Sequence, residues 1–146
     1  MPTRTARTAW HGGLNDGSGQ VELSSSKVGT YDVSFPKRAA DEAGGTTSPE
    51  ELIAAAHSAC YAMQFSAILG EAGGTVEALD VKADVSLGPD SAGGFKLTGI
   101  TLTVNGEVSG IDEAAFLKAA DEAKATCPVS KALTGVDIEL KATFEQ

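Results

Sequence analysis

Basic residues and cysteines are scarce in this chain of 146 residues, and its start has no long apolar segment. Eleven Lys and Arg side chains stand against twenty Asp and Glu, which gives a formal net charge of −9. A surface of that sign repels the phosphate backbone, so nucleic acid and anionic membranes are poor partners. The segment MPTRTARTAWHGG lacks the apolar stretch of a secretory signal, which favours a cytoplasmic protein.

Several common catalytic motifs are also missing. No Gly-x-Gly-x-x-Gly segment opens a helix after a strand, and no Gly-Lys-Ser/Thr phosphate loop occurs. No Gly-x-Ser-x-Gly elbow presents a serine nucleophile. Zinc sites commonly use Cys-x-x-Cys or His-x-x-x-His pairs, and neither pair occurs among His11, His57, Cys60 and Cys127. We therefore expect no metal site.

The two cysteines, Cys60 and Cys127, lie 67 positions apart. A structural disulfide is disfavoured in a reducing cytoplasm, so the two are catalytic, redox-active or unrelated buried thiols. Cys60 falls within an apolar segment predicted to be a helix, where burial favours an unreactive neutral thiol. Cys127 precedes Pro128 at the predicted start of a short helix, where free N–H groups favour a thiolate. The residues alone leave these alternatives open.

The first third of the chain predicts a small antiparallel meander. Period-two patterns occur at 3–10, 21–24 and 30–35, and a turn signal lies at 15–19. Pro36 is predicted to end the last of these strands, because it lacks a backbone donor. That would leave Lys37 and Arg38 on an irregular segment.

A long apolar helix is the clearest local prediction. Ser48 as the cap, Pro49 at the first helical position and Glu51 at the third form a helix start with a capping box. From Leu52 to Ile68 thirteen of seventeen residues are apolar, and they fall on every face, so we predict a helix that is buried all round. The segment is shorter than the roughly 18–20 residues that span a bilayer, so no membrane partner is expected.

The second half of the chain predicts strands and two further helices. Strands are expected at 76–87, 95–108 and 136–144, and helices at 113–125 and 129–133. Asp112 caps the first of these helices. Asn105-Gly106 is compatible with a hairpin turn or with a bulge in one long strand. Without a linker or repeat, residues 1–146 are predicted to form one α+β domain, with antiparallel sheets around the long helix.

His57 lies three residues before Cys60 and shares its helix face. One alternative is a Cys-His nucleophile pair, as in a hydrolase or transferase. The other is a core histidine whose ring nitrogen satisfies a neighbouring group. The spacing does not decide between them.

Two segments resemble the family of osmotically inducible protein C (OsmC) and organic hydroperoxide resistance (Ohr) proteins. They are TSPEELIAAAHSAC, from Thr47 to Cys60, and CPVSKAL, from Cys127 to Leu133; FPKR, ending at Arg38, resembles the OsmC branch. The resemblance implies an OsmC-like fold, an intertwined homodimer and a thiol-dependent peroxidase without a bound cofactor. Its substrates would be organic hydroperoxides and hydrogen peroxide, and its reductant a thiol such as a dihydrolipoyl protein.

The resemblance also implies roles for four residues. Cys60 matches the cysteine that attacks the peroxide and becomes a sulfenic acid, and Cys127 matches the one that resolves it as a disulfide. Arg38 and Glu50 match an Arg and a Glu near the reactive sulfur, where a bidentate Glu50 would orient a permanent cation. Ten helical residues separate Glu50 from Cys60, about 15 Å along the axis. Either Arg38 spans part of that gap, or Glu50 acts on the partner's Cys60.

The main alternative is a non-catalytic stress protein of the same fold that binds a small molecule. Such a protein would lose the Arg, the Glu or one of the cysteines. All four are present here, so the sequence favours the peroxidase.

Overall fold

The structure, a computed structural model, describes residues 1–145 in two compact units. The first unit is Met1–Leu52, and the second begins at Ile53, so the boundary falls inside the long helix. The described residues form four helices and two three-stranded sheets, which confirms the α+β class. The single domain over residues 1–146 stays a prediction.

In the first unit, three short strands form the predicted meander. They pair antiparallel in chain order as β1 (Arg7–His11), β2 (Ser18–Glu22) and β3 (Thr30–Val33). The turn between the first two strands is closed by Asp16, whose Oδ1 accepts a hydrogen bond from the Gly13 N–H at 2.8 Å. A short polar side chain in a turn acts here as the sequence pattern indicates.

The segment after β3 is not irregular, so that prediction is wrong. Residues Phe35–Ala39 form a short helix, α1, and the Ser34 hydroxyl caps it by accepting a hydrogen bond from the Lys37 N–H at 3.3 Å. Pro36 lies in the first turn, where a backbone N–H has no helical partner, so its missing donor is not needed. The strand already ends at Val33, and Pro36 belongs to the helix that follows, with Arg38 in its last turn.

The long helix α2 spans Pro49–Glu71. Its start is capped as predicted, because the Ser48 hydroxyl accepts a hydrogen bond from the Glu51 N–H at 3.1 Å. It ends just before Gly73, whose φ of 91° lies in the left-handed region that glycine adopts readily. Both ends are therefore set by local chemistry.

The prediction that α2 is buried on every face is wrong within a single chain. On one face Tyr61, Phe65 and Leu69 are completely buried, whereas Met63 on the opposite face is 71% exposed. The exposed face consists of small and apolar residues with one serine: Ala55, Ala56, Ala59, Met63, Ser66 and Ala67. An apolar composition indicates that a helix face is more stable when buried, but it does not show whether the same chain or a second chain buries it.

The helix also corrects the argument from length. At 23 residues, α2 is the one helix among residues 1–145 that is long and apolar enough to cross a membrane. One face of this helix packs into the protein itself, because Tyr61, Phe65 and Leu69 belong to the hydrophobic core of the second unit.

The second unit contains a long hairpin and one added strand. Strands β4 (Thr75–Pro89) and β5 (Phe95–Ser109) pair antiparallel. Strand β6 (Ile138–Glu145) pairs with β5 in parallel, so this sheet is mixed rather than antiparallel as predicted. Parallel neighbours need a crossover connection, and here two helices supply it.

The Asn105-Gly106 segment forms no hairpin turn. Both residues lie inside β5, opposite Asp80 and Leu79, which decides for one long strand. A Cβ atom on Gly106 would lie 2.6 Å from the Phe116 ring, so the absence of a side chain allows the ring to approach the strand closely.

The crossover between β5 and β6 consists of α3 (Glu113–Thr126) and α4 (Pro128–Ala132). Asp112 caps α3 as predicted, accepting a hydrogen bond from the Ala115 N–H at 2.8 Å. Cys127 is the single residue between the two helices. The core combines one face of α2, the inner face of the sheet and α3, with Tyr61, Phe65, Leu69, Leu102, Val104, Phe116 and Cys127 among its completely buried members.

Candidate active site

Arg38 and Glu50 form an ion pair within the first unit. The Arg38 Nη2 lies 2.7 Å from Glu50 Oε1, and its Nε lies 3.0 and 3.2 Å from Oε1 and Oε2. The Arg38 side chain is one-third exposed, with 33% of its surface accessible, whereas that of Glu50 is 9% accessible. This is the bidentate geometry predicted for the pair, and charge-assisted hydrogen bonds of this kind fix the guanidinium plane.

An apolar groove of about 300 Å³ lies beside this ion pair in the first unit. Arg38 is its one charged lining residue. The apolar walls are supplied by Trp10, Leu14, Val21, Val33, Phe35 and Leu52. A cation at the edge of an apolar groove suits a ligand that has a polar end and a hydrocarbon tail.

The two cysteines meet in the second unit. Both are free thiols, and their sulfur atoms lie 3.1 Å apart, within hydrogen-bond distance. Cys60 is partly accessible on the third turn of α2, whereas Cys127 is completely buried. The Cys127 backbone is fixed by its N–H, which donates to the Ala123 carbonyl at 2.9 Å and so ends α3. The fold therefore joins two thiols that are distant in the sequence.

The two thiols differ in acidity. Burial raises the pKa of Cys60 above its ordinary value of 9.0, and the neighbouring Cys127 adds to that rise. A backbone hydrogen bond from Val129 acts in the opposite direction and lowers the pKa in part. Burial also acts to raise the pKa of Cys127, but hydrogen bonds from the Ser130 backbone, the Cys60 thiol, the Ser130 side chain and the Val129 backbone bring it below its ordinary value. Of the two thiols, Cys127 is therefore the more acidic, and a negative charge is more favourable on Cys127 than on Cys60.

His57 occupies the same buried cluster, on the turn of α2 before Cys60. Its Nε2 lies 2.7 Å from the Ser130 hydroxyl, and its ring is completely buried. Burial lowers its pKa, so the ring is neutral at neutral pH. Its Nδ1 has no hydrogen-bond partner among the described residues. Of the two alternatives for His57, this contact favours the histidine that satisfies a neighbour over the base of a Cys-His pair.

Tyr61 lies in the same core cluster as Cys127. Its hydroxyl donates to the Ala120 carbonyl at 2.9 Å, which ties α2 to α3. Burial raises its pKa far above its usual range, and the nearby charges of Asp121 and Cys127 add to that rise. Tyr61 is therefore a permanent hydrogen-bond donor and remains uncharged.

The four site residues predicted from the sequence thus occur as two contacting pairs, Arg38 with Glu50 and Cys60 with Cys127. Sequence reasoning missed Ser130, which interacts with both His57 and Cys127. Its position three residues after Cys127 in a Cys-Pro start was a usable signal, because a side chain at that place in a first turn can reach back to the capping residue.

A metal centre finds no support in residues 1–145. No group of three or more His, Cys, Asp or Glu side chains in that range can hold a metal ion. The chemistry available to the described residues is that of thiols, a buried imidazole and an ion pair.

Comparison with known proteins gives one consistent result. Residues 41–141 match the family model for OsmC-like proteins. The chain is 42% identical over 136 residues to peroxiredoxin OsmC of Escherichia coli, covering 91% of this chain and 93% of that protein. It is 37% identical over 145 residues to organic hydroperoxide resistance protein OhrA of Bacillus subtilis, covering 97% and 96%.

Solved structures agree at the level of the fold. An organic hydroperoxide resistance protein from Elizabethkingia anophelis has a TM-score of 0.79 at 26% identity, with 99% of this chain and 98% of that chain covered. The protein OhrB of Bacillus subtilis has a TM-score of 0.72 at 30% identity, with 97% and 98% covered. Both predictions drawn from the sequence motifs, the family and the OsmC-like fold, are confirmed.

Proposed function

This chain belongs to the OsmC-like protein family, and on that premise we propose that it is a thiol-dependent peroxidase of oxidative stress defence. Its relatives carry the names peroxiredoxin and organic hydroperoxide resistance protein, which supports a peroxidase-type function in stress. The substrates are organic hydroperoxides, with hydrogen peroxide as the second substrate. No bound cofactor takes part.

The observation that carries this proposal is the contact between the two free sulfur atoms at 3.1 Å. That separation exceeds an S–S bond of about 2.0 Å by only one ångström, so a disulfide forms with little movement. The partly exposed sulfur of Cys60 is the one a peroxide can reach, and the buried sulfur of Cys127 stands behind it. An accessible attacker with a sheltered resolver is the arrangement that a two-cysteine peroxidase needs.

The reaction proceeds in three balanced steps. The Cys60 proton passes to Cys127, and the Cys60 thiolate attacks the terminal oxygen of the hydroperoxide; the O–O bond breaks, and the alkoxide takes the proton held by Cys127 and leaves as an alcohol. Cys60 is then a sulfenic acid, oxidised by two electrons, and Cys127 is a thiolate. The Cys127 thiolate attacks the Cys60 sulfur, the S–S bond forms as the S–O bond breaks, and the hydroxide takes a proton from solvent and leaves as water. An external dithiol of the dihydrolipoyl class reduces the disulfide to two thiols and is itself oxidised to a disulfide.

Arg38 and Glu50 serve the first step in this proposal. A thiolate on Cys60 needs an opposite charge, because burial favours its neutral form. Arg38 supplies that charge and donates to the peroxide oxygens, while Glu50 holds its guanidinium plane. The apolar groove beside Arg38 accepts the hydrocarbon tail, which favours organic hydroperoxides over hydrogen peroxide.

We further propose that the protein acts as a cytoplasmic homodimer. The exposed face of α2, with Met63 at 71% exposure, offers an apolar surface that a second copy related by a two-fold axis would cover. Met63→Lys is expected to convert the dimer to monomer in sedimentation, whereas Lys82→Met on the exposed side of the sheet should leave the dimer intact. A monomeric unmodified protein would refute the dimer.

The dimer also raises the question of which subunit supplies Glu50. Inactive Glu50→Gln and Cys60→Ser chains, mixed and allowed to exchange subunits, should regain part of the activity if Glu50 acts on the partner's Cys60. Absence of recovery after verified exchange would place both residues in one subunit's site.

The decisive experiment for the activity uses cumene hydroperoxide and reduced protein. Peroxide loss and intact mass are followed for the unmodified protein and for Cys60→Ser, with Ser66→Ala on the same helix as the matched control. Cys60→Ser should abolish consumption, and Ser66→Ala should retain it. A protein that consumes no peroxide would instead support a non-catalytic binding function, and an active Cys60→Ser would remove Cys60 from the mechanism.

A further inference from the structure

The buried pair of His57 and Ser130 has no part in the reaction described so far. His57 is completely buried and Ser130 is 5% exposed, and their side chains meet at 2.7 Å across 73 positions of sequence. Burying two polar groups is unfavourable unless they gain hydrogen bonds. Ser130 of this pair also interacts with Cys127.

The environment of the His57 ring decides which way its hydrogen bond runs. The Nδ1 atom has no partner among residues 1–145 and is buried. Buried N–H groups without an acceptor are rarer than acceptors without a donor, so the proton of the neutral ring is placed on Nε2. The Nε2–H then donates to the Ser130 oxygen.

This direction leaves the Ser130 hydroxyl proton free for a second bond. A hydroxyl that accepts from one side can donate on the other. The side chain of Ser130 hydrogen-bonds Cys127 and stabilises its negative charge. The bonds then run in one direction, from His57 Nε2–H to Ser130 Oγ–H to Cys127 Sγ, and bonds aligned in this way strengthen one another.

We propose that His57 and Ser130 form a donor relay that holds Cys127 as the attacking thiolate, with His57 as the positioning residue and Ser130 as the direct donor. This inference rests on the proposed peroxidase function and deepens it, because it assigns support of the resolving step to His57 and Ser130 rather than to the Arg38–Glu50 ion pair. When the Cys127 thiolate attacks the sulfenic acid of Cys60, the S–S bond forms as the S–O bond breaks, and the departing hydroxide takes a proton from solvent. Ser130 stabilises the negative charge on Cys127 until that S–S bond forms.

The relay predicts opposite effects on the two chemical steps. Weaker stabilisation of charge on Cys127 slows its attack on the sulfenic acid. The same change does not slow oxidation of Cys60. When the Cys127 thiolate is less stable, Cys127 holds the shared proton more readily, and the Cys60 thiolate forms at least as easily as before. A structural defect would instead slow both steps together.

The first experiment does not require peroxidase activity. In a Cys60→Ser background Cys127 is the sole thiol, and its pKa is measured from the pH dependence of its thiolate absorbance in the ultraviolet, since no reagent then has to reach the buried sulfur. Adding Ser130→Ala should raise that pKa by about one unit, which is a tenfold loss of thiolate on the acidic side. Ser130→Thr keeps the hydroxyl and should restore the value, and Ser91→Ala in the exposed turn between β4 and β5 should not change it.

Other titratable groups around Cys127 do not mimic this result. Tyr61 stays protonated because burial raises its pKa, and Cys60 is absent from the background. His57 is neutral, since burial lowers its pKa. His57→Leu, which removes the ring donor, should raise the Cys127 pKa by less than Ser130→Ala, and His57→Gln, whose amide reaches the same place, should restore most of it.

The second experiment follows one turnover with both cysteines present. After one equivalent of cumene hydroperoxide, dimedone trapping should show that the sulfenic acid of Ser130→Ala lives about tenfold longer, while its formation is not slowed. An unchanged Cys127 pKa and lifetime in folded Ser130→Ala would overturn the relay and leave the peroxidase intact. Failure of the unmodified protein to form a sulfenic acid would refute the proposed function instead. The Cys127 pKa, which is measured without peroxide, would still decide whether the relay exists.

Discussion

The Arg38–Glu50 pair and the Cys60–Cys127 pair both bring two side chains to about 3 Å, yet they depend on different parts of the fold. The charged pair joins residues 12 apart, at 2.7 Å, and one member remains one-third exposed. The sulfur pair joins residues 67 apart, at 3.1 Å, inside the core. A charge pair can form from local chain and direct attraction, whereas two weakly interacting thiols meet only where long-range packing places them.

The largest expected effect tests the sulfur pair directly. Cys127→Ser should reduce multiple turnover of cumene hydroperoxide at least about a hundredfold, because an external thiol must replace an intramolecular nucleophile of high effective concentration. Intact mass should show one added oxygen on Cys60 and no disulfide. Full turnover in this variant would contradict a resolving role for Cys127 and would show that an external thiol reduces the Cys60 sulfenic acid directly.

A smaller effect should reveal the asymmetry of the charged pair. Arg38→Met leaves the buried carboxylate of Glu50 without its cation, and the free energy of unfolding should fall by about 2–3 kcal/mol. Glu50→Gln should lower it by about 1 kcal/mol, because the partly exposed Arg38 can turn to water. Urea unfolding measures both, with the exposed neighbour Lys37→Met as control. Equal decreases in the free energy of unfolding would show that an unpaired Glu50 destabilises the protein no more than an unpaired Arg38 does.

The pH dependence of stability should distinguish the neutral cluster from the charged pair. Burial holds the pKa of His57 below its ordinary value of 6.5, so below that pH the unfolded chain takes up a proton that the folded protein excludes. Stability should therefore fall as the pH drops from 6.5 towards the folded pKa, by at most about 1.4 kcal/mol per pH unit. His57→Gln should remove this part of the slope in urea unfolding at the same pH values; an unchanged slope would contradict a buried neutral ring.

The smallest expected effect comes from a second ion pair in an exposed setting. Lys82 and Asp84 lie 3.4 Å apart on β4, with 67% and 57% of their side chains accessible. Asp84→Asn should change the free energy of unfolding by less than about 0.5 kcal/mol, because water screens the pair. A loss as large as that of Arg38→Met would mean that burial does not explain the difference between the two pairs.

Local chemistry made the start of α2 and the cap of α3 predictable, because each is encoded within a short segment. The Arg38–Glu50 contact was predicted from the family resemblance. The short helix around Pro36 was missed, since the same residue fits the end of a strand and the first turn of a helix. The parallel pairing of β6 could not be derived from its alternation, which is the same for both directions. The composition of α2 indicated that all its faces favour burial, but it did not indicate whether one chain or two would bury them.

Ser130 shows the same limit within the site. Its segment suggested a capping residue and a helix start, and both are present. Its contact with His57 depends on how α4 packs against α2, 73 positions away in sequence. Sequence motifs therefore identified the two cysteines that the proposed reaction uses, while the groups that set the pKa of each thiol required the fold.

The parallel pairing of β6 has a consequence for the order of folding. The β4–β5 hairpin closes a short loop, but Ile100 of β5 pairs with Ile138 of β6, 38 positions later. Longer loops close at greater entropic cost, so we expect the hairpin to form early and β6 to dock late. Cys127 lies on the connection that this docking closes. We therefore expect a chain emerging from the ribosome to contain Cys60 before Cys127 can reach it, so that the sulfur pair is completed only in the last stage of folding.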